Sequence, residues 1–217
     1  MRKLFLMCAA LLISATTALA GNDLSLKDIT SGKFAPKGIG SITALDDGET
    51  YAQVSKDGKK VVRYSFRTGK QTDVLFDVNN TIGQKIESFE DYIMSPDGTK
   101  MLIQTNSHKI YRRSFTADFY IYTIASRKLE KLSDNGAQQT PVWSPDGKQI
   151  AFVRDNNIFL VKLLYDNAES QVTKDGKKNE LINGIPDWVN EEEFGFNTAM
   201  TFNGDGSMIC WIKYDEK

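Results

Sequence analysis

Apolar residues occur in short runs, many alternating with polar ones and some reading as buried strands, such as Gln149-Ile150-Ala151-Phe152-Val153, separated by turns built on D-G, N-G or T-G pairs. No long stretch repeats apolar residues at helical spacing. A two-residue period broken by glycine turns predicts an all-β fold made of hairpins. One turn recurs: Ser95-Pro96-Asp97-Gly98 returns as Ser144-Pro145-Asp146-Gly147, with partial copies at Leu45-Asp46-Asp47-Gly48 and Asn203-Gly204-Asp205-Gly206. From glycine to glycine the spacings are 50, 49 and 59 residues. A period near 50 with about four short strands per unit is that of a β-propeller blade. Proline presets the first corner, aspartate bonds back to the chain and glycine takes the positive φ.

The first unit runs from Glu49 to Phe76. The second uses Met101–Thr105, Phe119–Thr123 and Leu129–Leu132, with a long connection from Asn106 to Asp118. The third uses Gln149–Val153, Ile158–Lys162 and Ser170–Thr173, and the fourth shows two strands, Thr198–Phe202 and Ser207–Lys213. The expected fold is therefore a partial propeller of four-stranded blades starting near residues 45, 92, 141 and 198. A propeller closes last blade on first to protect its strand edges. The chain stops part-way through a blade, which reads as the N-terminal portion of a longer protein. A complete small solenoid is the other reading, and it lacks a visible polar capping repeat.

The first twenty residues change the picture of where the chain works. Arg2 and Lys3 precede an apolar run, Leu4 to Ile13, and Ala18-Leu19-Ala20 is an A-x-A site. That is a signal peptide over 1–20, with the mature domain over 21–217 and a periplasmic or secreted location; an uncleaved anchor is the alternative. Cleavage removes Cys8 and leaves Cys210 alone, so no intrachain disulfide forms and the core must hold the fold. Cys210 reads as a buried strand residue. Without Arg2 and Lys3, 25 basic side chains face 28 acidic ones, a net charge of −3, which argues against nucleic acid or an anionic membrane as partner.

One stretch breaks the β pattern: Asp187-Trp188-Val189-Asn190-Glu191-Glu192-Glu193-Phe194-Gly195. Pro186 and Asp187 read as a helix start, with Asp187 capping free N–H groups, and glutamates suit the positive end of the helix dipole. At about 100° per residue, Glu192 and Glu193 converge on one small cation while Glu191, about 200° from Glu193, faces away. Two carboxylates fit a primary ammonium, which offers three donors and no acceptor. The same run also reads as a solvated acidic helix face, in which all three glutamates are surface carboxylates of little consequence for stability.

The D-W-V-N-E-E-E-F-G stretch, the connection Tyr111-Arg112-Arg113-Ser114-Phe115, the S-P-D-G blades, Ser31-Gly32-Lys33-Phe34 and the export signal together resemble the dipeptidyl peptidase IV family of the prolyl oligopeptidase superfamily. The resemblance covers essentially all of the mature chain and is strongest across 91–217. It implies an eight-bladed propeller, of which this chain holds about the first half, covering an α/β-hydrolase domain that this chain lacks. It implies release of N-terminal dipeptides with proline or alanine second. It implies that Glu192 and Glu193 bind the substrate's free ammonium and that Arg112, not Arg113, holds a substrate carbonyl; no cofactor or metal is expected. Family members are often dimers, so the resemblance extends to a homodimeric parent enzyme with peptide partners bearing a free N-terminus. Asn190 stands where many relatives have tyrosine, and Asn203-Gly204 replaces Ser-Pro in the last turn.

No G-x-S-x-G elbow occurs, and His108 is the single histidine, placed by its polar neighbours in a surface loop. A Ser–His–Asp triad is therefore not completed within the chain, which is expected to be inactive alone. There is no cysteine–histidine cluster for zinc and no phosphate loop. A reading from a different class stays open beside the peptidase: a non-catalytic periplasmic propeller of the TolB type that binds a protein partner. Dipeptide and tripeptide release are not distinguished by these residues.

Overall fold

The computed structural model describes residues 24–36, 38 and 40–217. The expected signal peptide, with Cys8, lies outside the described residues. The chain divides into two compact units, 1–40 and 41–217. In the first, a short helix α1 (Leu26–Thr30) starts at Ser25, which exchanges hydrogen bonds with Asp28 in a capping box; Lys33 pairs with Asp28 at 2.8 Å. No helix among the described residues is long and apolar enough to cross a membrane.

The second unit is a run of antiparallel sheets, the partial propeller that the repeat predicts. The first blade is β1 (Thr43–Ala44), β2 (Thr50–Val54), β3 (Lys60–Ser65) and β4 (Gln71–Asp77), paired in chain order. The second has β6 (Asp91–Met94), β7 (Lys100–Lys109), β8 (Phe115–Thr123) and β9 (Lys128–Lys131), with β5 (Ile82–Gly83) added in parallel on the outer side of β9. The third is β10 (Gln139–Trp143), β11 (Gln149–Arg154), β12 (Asn157–Lys162) and β13 (Ala168–Gln171). In the fourth group β14 (Leu181–Asn183) pairs with β17 (Lys213–Asp215), and β15 (Met200–Phe202) with β16 (Ile209–Trp211).

Stacking of blades explains the unbroken apolar runs. Side chains of a strand alternate between its faces, and here each face meets a different neighbour. Met101, Ile103, Tyr120 and Tyr122 pack with Phe76 and Val61 of the first blade, while Leu102, Phe119 and Ile121 pack with Phe152 and Val161 of the third. Ile150 and Phe152 face the second blade; Ala151, Val153 and Ile158 face Ile182 and Met200 of the fourth group. Strands covered on both sides are continuous in apolar character, as in β11, where Ile150 to Val153 are all buried.

The recurrent turns share one hydrogen-bond plan. The hydroxyls of Ser95 and Ser144 donate to Asp97 and Asp146 at 2.6 Å and accept the N–H of Lys100 and Gln149 at 2.9 Å. Ser55 and Asp57 repeat the plan in the first blade. In the last turn Asn203 substitutes for serine: its Oδ1 accepts the Met208 N–H at 2.9 Å. Partial burial would raise the Asp97 carboxyl. Hydrogen bonds from the Ser95 and Thr99 hydroxyls and the Thr99 N–H, with Lys100 nearby, outweigh it and hold the pKa at about 2 instead of the usual 3.8. A depressed folded-state pKa stabilises above the unfolded value and loses that contribution as pH falls through the folded one. Asp97→Asn is thus expected to lower the urea midpoint at neutral pH, with the gap from wild type closing between about pH 4 and about pH 2. A gap unchanged across that window would show that Asp97 is not ionised differently in the fold.

Two expectations are corrected here. Cys210 lies on β16 but is exposed, because the half-buried Ile209 turns to the core and its neighbour points the other way. His108 is exposed as expected but is not in a loop. It belongs to β7 and pairs with Thr116 of β8, since the second-blade hairpin continues well past the sheet.

Candidate functional site

Two excursions from the sheets meet. The first is the long hairpin. After Thr105 pairs with Asp118, the register shifts at Asn106, which has φ of 51°, and pairing resumes from His108 with Thr116 to Lys109 with Phe115. The tip closes where the Ile110 N–H donates to the Ser114 carbonyl at 2.9 Å, leaving Arg112 and Arg113 at the turn. The second excursion is helix α2 (Trp188–Phe194), inserted into one interrupted strand. The chain leaves that strand at Gly184 and rejoins it at Ala199, whose N–H donates to the Gly184 carbonyl at 2.8 Å; both then pair with Ile212. Gly184 is needed at the exit, with φ of 80° and space for a Cβ only 3.0 Å from Ile158 Cγ1.

The cap is the one the residues predict. Asp187 Oδ1 accepts the Asn190 N–H at 2.7 Å and the Asn190 side-chain amide at 3.0 Å. Gly195, in the left-handed region at φ of 72°, ends the helix. The helix is inside out: Trp188, Val189 and Phe194 are exposed, and its one buried side chain is Glu191.

The three glutamates take three roles. Glu192 Oε2 meets Arg112 Nε at 3.0 Å, bringing together two of the predicted site residues from elements eighty positions apart. The Arg112 side chain is 73% exposed and that of Glu192 22%, so the pair is open to solvent on the arginine side. Glu193, the third predicted residue, is exposed and has no ion-pair partner among the described residues. Glu191, expected to face away, turns to the same hairpin tip as Glu192 and is not a surface carboxylate. It is 1% exposed, and its Oε1 accepts the backbone N–H groups of Arg113 at 2.7 Å and Ser114 at 2.9 Å. The expectation that it is of little consequence is overturned, because burial and two N–H donors make it a joint between helix and hairpin. Asn197 adds a second joint, its side-chain amide donating to the Arg113 carbonyl at 3.1 Å. Arg113 lies over the helix end: a Cβ on Gly195 would stand 3.2 Å from its Nη2. The hydrogen bonds of Arg113 to Glu191 and Asn197 run through its backbone, whereas Arg112 engages Glu192 through its side chain.

A cleft of about 430 Å³ beside α2 is lined by Tyr111, Ser114, Asp187, Trp188 and Asn197, but not by Arg112, Glu192 or Glu193. Among the described residues no group of three or more His, Cys, Asp or Glu side chains is placed to hold a metal ion.

Residues 95–217 match the family described as dipeptidyl peptidase IV (DPP IV) N-terminal region. The chain is 35% identical over 209 residues to a probable dipeptidyl-aminopeptidase B of Emericella nidulans, covering 91% of this chain and 23% of that protein. It is 31% identical over 195 residues to prolyl endopeptidase FAP of Homo sapiens, covering 89% of this chain and 25% of the relative. The crystal structure of Porphyromonas gingivalis dipeptidyl peptidase 4 superposes with a TM-score of 0.84 at 36% identity, over 90% of this chain and 28% of the other. The chain thus spans about a quarter of the length of these relatives.

Proposed function

This chain belongs to the dipeptidyl peptidase IV family, and on that premise we propose that it is the N-terminal, substrate-gating propeller of an exported serine dipeptidyl peptidase. Glu192 and Glu193 bind the free N-terminal ammonium of a peptide, and Arg112 holds a backbone carbonyl near it. A hydrolase domain outside this chain cleaves after the second residue, preferring proline or alanine there. The signal over 1–20 directs the protein to the periplasm or beyond, and the complete enzyme acts as a homodimer.

The observation that supports this reading most is the contact between Arg112 and Glu192. A peptide N-terminus presents a cation with three donors and, a few atoms on, a carbonyl acceptor. Two carboxylates beside a guanidinium match that pattern, and an acylated terminus leaves the carboxylates unpaired.

Titrating the 217-residue chain with Gly-Pro amide tests the reading. Amide resonances of Glu192, Glu193 and Arg112 are expected to shift with the free-amine ligand and to stay put with N-acetyl-Gly-Pro amide. Equal shifts with both would remove the ammonium site. The same chain is expected to leave a Gly-Pro reporter amide uncleaved, since it contains no nucleophile elbow. Turnover that co-purifies with it would contradict the division of labour.

A further inference from the structure

We infer that Glu191 is a positioning residue: its buried carboxylate sets the hairpin tip against α2 so that Arg112 reaches Glu192. The inference rests on the proposed role of Arg112 and the two glutamates. Its own basis is separate and geometric. Glu191 is the one buried side chain of α2, and a carboxylate taken out of water needs strong partners. It has two, the N–H groups of Arg113 and Ser114, the residues that directly follow Arg112. Hydrogen bonds to an ionised acceptor are about twice as strong as neutral ones. Both run to one oxygen, Oε1, which fixes the tip in two directions at once.

The rest of the tip is weakly held. Arg112 and Tyr111 are exposed, and the connection runs beyond a register shift in the hairpin. Without the Glu191 joint, the hydrogen bonds and ion pairs left between tip and helix segment among the described residues are the Asn197 bond to the Arg113 carbonyl and the exposed Arg112–Glu192 pair. An exposed ion pair is a poor anchor by itself. Thus the first of the three glutamates builds the site that the other two use, and it does so without touching the ligand.

The test compares wild type, Glu191→Ala, Glu191→Asp, Arg112→Ala and the Glu191→Ala/Arg112→Ala pair in the full 217-residue chain. Two quantities are read by NMR: amide exchange at Arg113 and Ser114, and the dissociation constant for Gly-Pro amide. Glu191→Ala is expected to speed exchange at both amides and to weaken binding about tenfold, the loss from hydrogen bonds to a charged acceptor. In the Arg112→Ala background it is expected to weaken binding no further, because a residue acting through Arg112 has nothing left to position. Glu191→Asp keeps the charge but withdraws it by one methylene; it is expected to show the same two effects, and it decides the matter if the alanine variant does not fold. Unchanged exchange at Arg113 and Ser114 would overturn the inference. So would a Glu191→Ala loss that adds in full to that of Arg112→Ala. If Arg112→Ala binds as wild type does, the reading of the site fails instead, and the positioning role falls with it.

Discussion

In the catalytically complete protein, Glu192→Gln and Glu193→Gln are each expected to lower kcat/KM for Gly-Pro amide by about 30- to 4,000-fold. Glutamine keeps the size and hydrogen-bonding shape of the side chain and removes only its charge. Truncating one side of a desolvated, hydrogen-bonded charge pair costs about 2–5 kcal/mol, much of it because the other charge is left buried and unpaired. Converted at about 1.4 kcal/mol per tenfold, that range sets the expected loss. Glu192 carries the larger burden in the free protein, since it already offsets Arg112 at 3.0 Å. Its replacement frees the guanidinium as well as losing the ammonium contact. Glu193 has no ion-pair partner among the described residues, so Glu193→Gln is expected to leave folding untouched and to act on binding alone. A loss below threefold in both variants would mean that the carboxylates do not contact the substrate.

The largest expected effect on stability lies between blades. Phe152→Ala is expected to destabilise by about 3–5 kcal/mol, seen as a lower urea midpoint with little change in slope. Phe152 is fully buried in the cluster between the second and third blades, stacked on Phe159 at 5.6 Å, with the Arg154 guanidinium 5.5 Å from its ring centroid. The third blade separates the hairpin of the second from the helix of the fourth group. Loosening its packing therefore also loosens the distance between Arg112 and Glu192. An Arg112–Glu192 separation that survives in a strongly destabilised Phe152→Ala would show that the local joints at Glu191 and Asn197 suffice.

Local chemistry was legible and long-range partnership was not. The serine and aspartate of each S-P-D-G turn bond within five residues of themselves, so composition alone announces the geometry. The unbroken apolar runs of β11 and β12 report blade stacking because alternate side chains meet different neighbouring blades. The Asp187 cap and the Gly195 stop of α2 are equally local. Glu191 is the opposite case. Its partners are backbone N–H groups 77 and 78 positions away, and backbone donors leave no mark on side-chain patterns. The apolar signal misleads there as well, since Trp188, Val189 and Phe194 are the exposed residues of the helix. The hairpin from Asn106 to Asp118 reads as a loop because its polar residues are exposed on both faces, yet strand pairing continues through His108 and Lys109. Leu181–Asn183 is too short to read as a strand until Gly184 and Ala199 are seen to close one interrupted strand around the helix.

We propose that two carboxylates of one helix, Glu192 and Glu193, select a free N-terminal amine. The most direct measurement is the ratio of kcat/KM for Gly-Pro amide over N-acetyl-Gly-Pro amide in the catalytically complete wild-type protein. Leaving the carboxylates unpaired is expected to make that ratio at least about 30, and Glu192→Gln and Glu193→Gln are expected to bring it down towards unity. A wild-type ratio near one would contradict the claim.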